Sequence, residues 1–225
     1  MAELVVAFDT ASGRDALALA ARLPGLTWAK LGPALYVREG PALVREFAAR
    51  GVRVFLDLKW HDIPSVVARA VTAARELGVS LATVHCLGGR AMLEAAAQAA
   101  GDLPLVGVTV LTSHDGAAFE QVTGRGVPDL GFEAERLARI AHTAGLRGVV
   151  ASGAEVAMLR EALGPDPWIV VPGIRLPGEA AGDQARTVDA ATAVRLGATH
   201  LVVGRPIITA SDPQAAFRRY TAALG

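Results

Sequence analysis

The chain has 225 residues, 52% of them hydrophobic, which suits one domain with a sizeable core. Lys+Arg and Asp+Glu each total 22, so no net field steers it toward nucleic acid or acidic lipid, and any anion it binds must be held locally. No apolar run approaches a membrane-spanning helix and no basic leader precedes the first strand-like run, which excludes a membrane protein and leads to the expectation of a cytoplasmic location.

Along the chain, short apolar runs alternate with Ala/Leu/Arg-rich helical periodicity, the pattern of βα units feeding a parallel sheet. Strand 4–8 is followed by helix 14–22, strand 27–31 by helix 41–50, strand 52–58 by helix 66–77, and strand 81–85 by helix 91–100. Strand 105–110 then precedes helix 132–144, strand 148–151 precedes helix 154–162, strand 168–171 precedes helix 187–196, and strand 201–203 precedes helix 213–223. Gly51, Gly78, Gly101, Gly145, Gly164 and Gly197 stand where these helices should stop, as left-handed caps require. Eight βα units in one domain spanning 1–225 predict a (β/α)8 barrel, the α/β class known as the TIM barrel. The first turn, Asp9-Thr10-Ala11-Ser12-Gly13, carries no dinucleotide fingerprint and argues against a doubly wound sheet. Two connections are long, 112–131 and 173–186, and the second is a candidate lid over a ligand. The single cysteine, Cys86, excludes an internal disulfide and a cysteine-ligated metal site, and reads as a small buried apolar residue.

The densest chemistry lies in Asp57-Leu58-Lys59-Trp60-His61-Asp62-Ile63-Pro64. A side-chain period of two points Asp57 and Lys59 to one face, with Cα atoms about 7 Å apart, while Asp62 falls beyond the strand. Charges at a strand end cost desolvation energy unless they neutralise one another, so the cluster is either a structural ion-pair network or a reactive site. Asp9, Lys30, His85, Thr112, Arg175 and Arg205 stand at other predicted strand ends, and a barrel gathers all of these at one mouth. Singly, Asp9 reads equally as a helix cap, His85 as a core histidine and Lys30 as a surface lysine; their joint placement favours a site. Gly204-Arg205, with Pro172-Gly173-Ile174-Arg175 on the preceding loop, has the form of a phosphate site: backbone N–H groups before a helix plus two arginines.

Asp57-x-Lys59-x-x-Asp62-Ile63-Pro64 resembles the active-site signature of the orotidine 5′-phosphate decarboxylase family, in its prokaryotic short form. The resemblance continues through Val5-Ala7-Asp9, Lys30-Leu31-Gly32, Val84-His85-x-x-Gly88-Gly89, Val110-Leu111-Thr112-Ser113, Pro172-Gly173-Ile174-Arg175 and Val203-Gly204-Arg205-Pro206-Ile207. It implies a cofactor-free, metal-free carboxy-lyase of pyrimidine biosynthesis that converts orotidine 5′-phosphate to UMP and CO2. By the same resemblance Lys30, Asp57, Lys59 and Asp62 form an alternating charge network, Lys59 protonates C6, and Asp62 reaches the partner's site in a homodimer. Asp9 and Lys30 would hold ribose hydroxyls, Thr112 would approach the base, Gln184 would join base and phosphate from the lid, and Arg205, the Gly204 backbone and Arg175 would hold the phosphate. The remaining implied substrate contacts are Leu58, Trp60, His61, Ile63, Pro64, Ser65 and Val66; the last departs from the family's threonine and contributes only backbone or shape.

Two other functions share parts of this pattern. A related phosphosugar enzyme would use the Asp-x-Lys-x-x-Asp core with Mg2+ and an enediolate, but would want a further carboxylate where Lys30 stands. A silent barrel that only binds a nucleotide would have no need of paired carboxylates beside an anion.

Overall fold

The structure is a computed structural model and describes residues 2–127, 129–179 and 187–225. Eight parallel strands close into a barrel: Glu3–Ala7, Trp28–Leu31, Arg53–Trp60, Leu81–His85, Leu105–Val108, Gly148–Val150, Trp168–Val171 and His200–Val203, each hydrogen-bonded to its sequence neighbours and the last to the first. The (β/α)8 barrel read from the alternation is therefore the fold observed.

Alternation along the strands divides the apolar residues in two. Val5, Ala7, Trp28, Phe55, Leu81, Val106, Val170 and Val202 fill the barrel interior, while the other strand face packs against the surrounding helices in a separate and larger core. The pairings Ala7↔Lys30 and Lys30↔Phe55 fix the stagger that carries charged residues up to the mouth. All six helix-terminating glycines have positive φ, from 58° to 105°.

Where sequence and structure differ, local chemistry explains it. The second helix begins at Pro33 rather than residue 41, because Gly40 (φ 61°, ψ −155°) breaks it and Pro41 restarts it. The third starts at Pro64, whose missing N–H is harmless in a first turn. The 112–131 connection contains a helix, Gly116–Thr123, which the sequence reading passed over. Its signals were present: Asp115 accepts from the Ala118 N–H at 2.8 Å, and Gly124 ends it at φ 69°. Ile174–Arg175 and Val188–Asp189 form a short parallel pair that flanks the candidate lid. Of that lid, 180–186 lies outside the described residues, and Gln184 with it.

The barrel is closed at its base by aromatic rings. Trp28 Nε1 donates to Glu3 Oε2 at 2.7 Å, the Arg53 guanidinium lies 4.4 Å above the Trp28 ring, and Arg147 lies 5.2 Å above Trp168. His200 sits between the two tryptophans, 5.6 Å from Trp28 and 4.5 Å from Trp168. Among the described residues its Nε2 has no hydrogen-bond partner. Burial pushes its pKa down to about 4, with Glu3 opposing the shift and Arg53 and Arg147 adding to it. Among the described residues no helix is long and apolar enough to cross a membrane.

Candidate active site

At the opposite end of the barrel, residues from seven of the eight strands and the loops that follow them line a cavity of about 350 Å3. Its floor is charged. Lys30 Nζ lies 3.9 Å from Asp9 and 3.2 Å from Asp57, and Asp57 lies 2.9 Å from Lys59 Nζ, giving an alternating chain Asp9, Lys30, Asp57, Lys59. Asp57 is 8% exposed, so its carboxylate survives burial only because two ammonium groups flank it. Burial opposes its ionisation, yet Lys30 and Lys59 outweigh burial and hold its pKa below the usual carboxylate value. The same balance acts on Lys30: burial works against the charge, while Asp57 and Asp9 overcome it and raise the pKa.

Strand alternation puts Lys59 on the same face as Asp57, and a local distortion of the strand adjusts its aim. Among the described residues Lys59 is the sole non-glycine with positive φ (50°), and the pairing between the third and fourth strands slips between Leu56 and Trp60. This bulge turns the lysine into the cavity. Thr83, which the sequence reading did not select, fixes it: its hydroxyl accepts the Lys59 N–H at 2.8 Å and donates to Asp57 Oδ1 at 3.1 Å. The signal was a polar residue alternating with Leu81 on an interior strand face. A left-handed lysine held by a buried threonine is a strained arrangement of the kind found at functional sites.

Gly32 leaves the room this network needs, since a Cβ there would stand 3.3 Å from Asp9 Oδ1 and 3.6 Å from Lys30 Nζ. Across the cavity, Thr112, Ser113, Gly173, Arg175, Gly204 and Arg205 supply polar groups and two guanidinium groups. Arg205 opens a short helix, Arg205–Ile208, directly after the eighth strand, so the mouth is basic on one side and zwitterionic on the floor.

The remaining predicted residues lie elsewhere. Leu58 and Trp60 line a groove between the second and third helices on the outside of the barrel. His61, Asp62, Ile63, Pro64 and Ser65 are exposed and Val66 is half-buried; none of these six lines the cavity of this chain. Asp62 Oδ1 accepts from the Ile63 N–H at 2.6 Å, and Ile63 itself is 63% exposed. His61 stacks on His85 with ring centroids 5.5 Å apart. His85 accepts the Leu87 N–H at Nδ1, and burial, with His61, Lys59 and His114 adding to it, pushes its pKa down to about 4. Cys86 is buried, its thiol pushed up to about 12 by burial, which makes it a packing residue.

Residues 2–220 match the family model described as "Orotidine 5'-phosphate decarboxylase / HUMPS family". Among curated proteins, the orotidine 5'-phosphate decarboxylase of Halorhodospira halophila is 51% identical over 218 residues, covering 95% of this chain and 92% of that one. That of Opitutus terrae is 48% identical, covering 99% and 98%. Among solved structures, the crystal structure of orotidine 5'-phosphate decarboxylase from Lactobacillus acidophilus superposes with a TM-score of 0.89 at 31% identity, over 100% of both chains.

Proposed function

From the premise that the chain belongs to the orotidine 5'-phosphate decarboxylase / HUMPS family, we propose how its site turns orotidine 5′-phosphate into UMP and CO2. The enzyme is a carboxy-lyase of pyrimidine biosynthesis, by its relatives at 43–51% identity. The observation that carries the mechanism is the alternating floor Asp9, Lys30, Asp57, Lys59, facing two arginines across one cavity.

The C6–carboxylate bond breaks and leaves its electron pair on C6, a carbon with no adjacent electron sink. The Lys59 ammonium, preorganised by Asp57 and the left-handed backbone, stabilises that charge and then delivers its proton to C6. Solvent reprotonates the amine. Asp57 stands beside the departing carboxylate, so the ground state carries a repulsion that CO2 loss relieves, and it anchors Lys59 Nζ at 2.9 Å. Asp9 and Lys30 take the ribose hydroxyls, Thr112 the base, and Arg175, Gly204 and Arg205 the phosphate, whose remote binding energy supports orientation at C6. Gln184 completes the base and phosphate contacts from the 173–186 lid. The reaction proceeds without metal or cofactor.

Asp62 acts in the neighbouring subunit of a homodimer. It is exposed beyond the strand end, does not line its own cavity, and is followed by Ile63, an exposed apolar side chain that a second copy would cover. With His61, Pro64, Ser65 and the Val66 backbone it forms the rim presented to the partner's substrate. A cytoplasmic location follows from the biosynthetic role.

Lys30 and Lys59 also weigh against the magnesium-dependent phosphosugar reaction: both flank Asp57, the carboxylate such a metal would need. The test follows the fall in orotidine 5′-phosphate absorbance with and without chelator. Turnover that persists in chelator is expected; abolition by chelator would favour the phosphosugar reading, and tight nucleotide binding without CO2 release would favour a silent barrel.

A further inference from the structure

The final helix, Pro213–Ala222, lies far along the chain from the charge network, yet it touches both arginine-bearing loops. One face packs on Arg205–Ile208. From the same helix, Tyr220 and Arg219 reach the turn that follows Arg175. The Tyr220 hydroxyl donates to Glu179 Oε2, and Arg219 Nη2 donates to Glu179 Oε1 at 3.1 Å. Glu179 folds back on its own turn: its Oε2 accepts the Leu176 N–H at 3.1 Å, and its N–H donates to the Leu176 carbonyl at 3.1 Å. Pro177 and left-handed Gly178 (φ 86°) suit the two central positions of a type II turn.

We propose that Tyr220 and Glu179 form a latch by which the last helix holds the Arg175 and Arg205 loops in register, making both positioning residues for phosphate recognition. The inference rests on the phosphate reading given above. Three donors on one carboxylate, one of them a phenol with no exposed surface, are more than a turn at the surface needs to keep its shape. What the latch fixes is the strand Ile174–Arg175, whose arginine lines the cavity. Burial, with the Glu179 carboxylate adding to it, raises the Tyr220 pKa, so the phenol remains a donor throughout the working range. A shift of either loop of a few tenths of an ångström would separate two guanidinium groups that must meet one dianion, which is the loss that preorganisation prevents.

The test uses the full-length enzyme and two substrates, orotidine 5′-phosphate and orotidine, which lacks the phosphate. Tyr220→Phe keeps the ring and deletes the donor; Glu179→Ala, at a partly exposed position, serves if the first variant fails to fold. Either should lose about tenfold in kcat/KM on orotidine 5′-phosphate, the scale of one charge-assisted hydrogen bond acting on a positioned loop. Turnover of orotidine should be unchanged, and Glu179→Gln, which keeps an acceptor oxygen, should recover part of the loss. Equal losses on both substrates would mark a merely structural contact and overturn the latch, as would full activity on orotidine 5′-phosphate. A parent enzyme that leaves orotidine 5′-phosphate untouched would instead overturn the functional reading, and the latch would fall with it.

Discussion

The two ends of the barrel use charge in opposite ways. At the base, Glu3 is spent on Trp28 and Arg53, guanidinium groups lie over tryptophan rings, and His200 is kept neutral between them; the charged groups there hold apolar area in place. At the mouth, Asp57 is buried between two ammonium groups, and one of these belongs to a lysine whose backbone is strained. The base optimises closure. The mouth gives up local stability to keep two ammonium groups and a carboxylate facing one cavity, the trade expected where strain and buried charge serve chemistry.

Removing charge from the mouth should produce the largest effect of all. Asp57→Asn leaves Lys30 and Lys59 without their shared anion, and steady-state turnover should drop by about a thousandfold or more, within the range one positioned acid–base or electrostatic group supplies. A drop below tenfold would place the network among structural ion pairs. At the base the expected loss is in stability instead. Trp28→Ala should cost about 3–5 kcal/mol in denaturant unfolding, as for other buried aromatic truncations, with kcat per folded molecule unchanged. A large fall in kcat would show that the two ends are not separable.

Smaller, and specific to pH, is the effect of His200. Its pKa falls from 6.5 to about 4 on folding, so in that window the unfolded chain binds a proton that the folded chain refuses. Stability therefore declines as pH drops from 6.5 toward 4, by on the order of 2–3 kcal/mol from this residue. Asp57 behaves differently: its depressed folded pKa contributes stability above the usual carboxylate value, lost only as pH falls through that lower folded pKa. Urea titrations of His200→Gln at several pH values should show a shallower slope between pH 6.5 and 4 than the parent, and an unchanged slope would remove His200 from the account.

How much of this was legible beforehand follows from which signals are local. Strand periodicity, helix-stopping glycines and the Asp57/Lys59/Asp62 spacing are written in neighbouring residues, so the barrel and its charged mouth could be read directly. The kink at Gly40 and the Asp115-capped helix were also local signals, but weak ones beside a Pro and inside a long polar connection. Thr83 carried only a polar residue on the Leu81 face as a signal, because its role depends on a bulge in the strand next to it, and register slips leave no mark on the strand that is not bulged. The Tyr220–Glu179 contact joins residues 41 positions apart, and nothing near either one announces the other. Leu58 and Trp60, read as substrate contacts because they lie within the motif, face the outer helices, as alternation with Asp57 and Lys59 requires.

Lys59→Gly tests the central claim most directly. Glycine adopts the left-handed backbone of that position without strain and Lys30 still pairs with Asp57 at 3.2 Å, so the thermal midpoint should stay within a few degrees of the parent, about 1 kcal/mol of relieved strain offsetting the lost, partly exposed ion pair. Decarboxylation of orotidine 5′-phosphate, followed by absorbance in the presence of chelator, should meanwhile fall by about a thousandfold or more. A folded Lys59→Gly enzyme that turns over within tenfold of the parent would contradict the assignment of the proton donor, and with it the separation of a reactive mouth from a structural base.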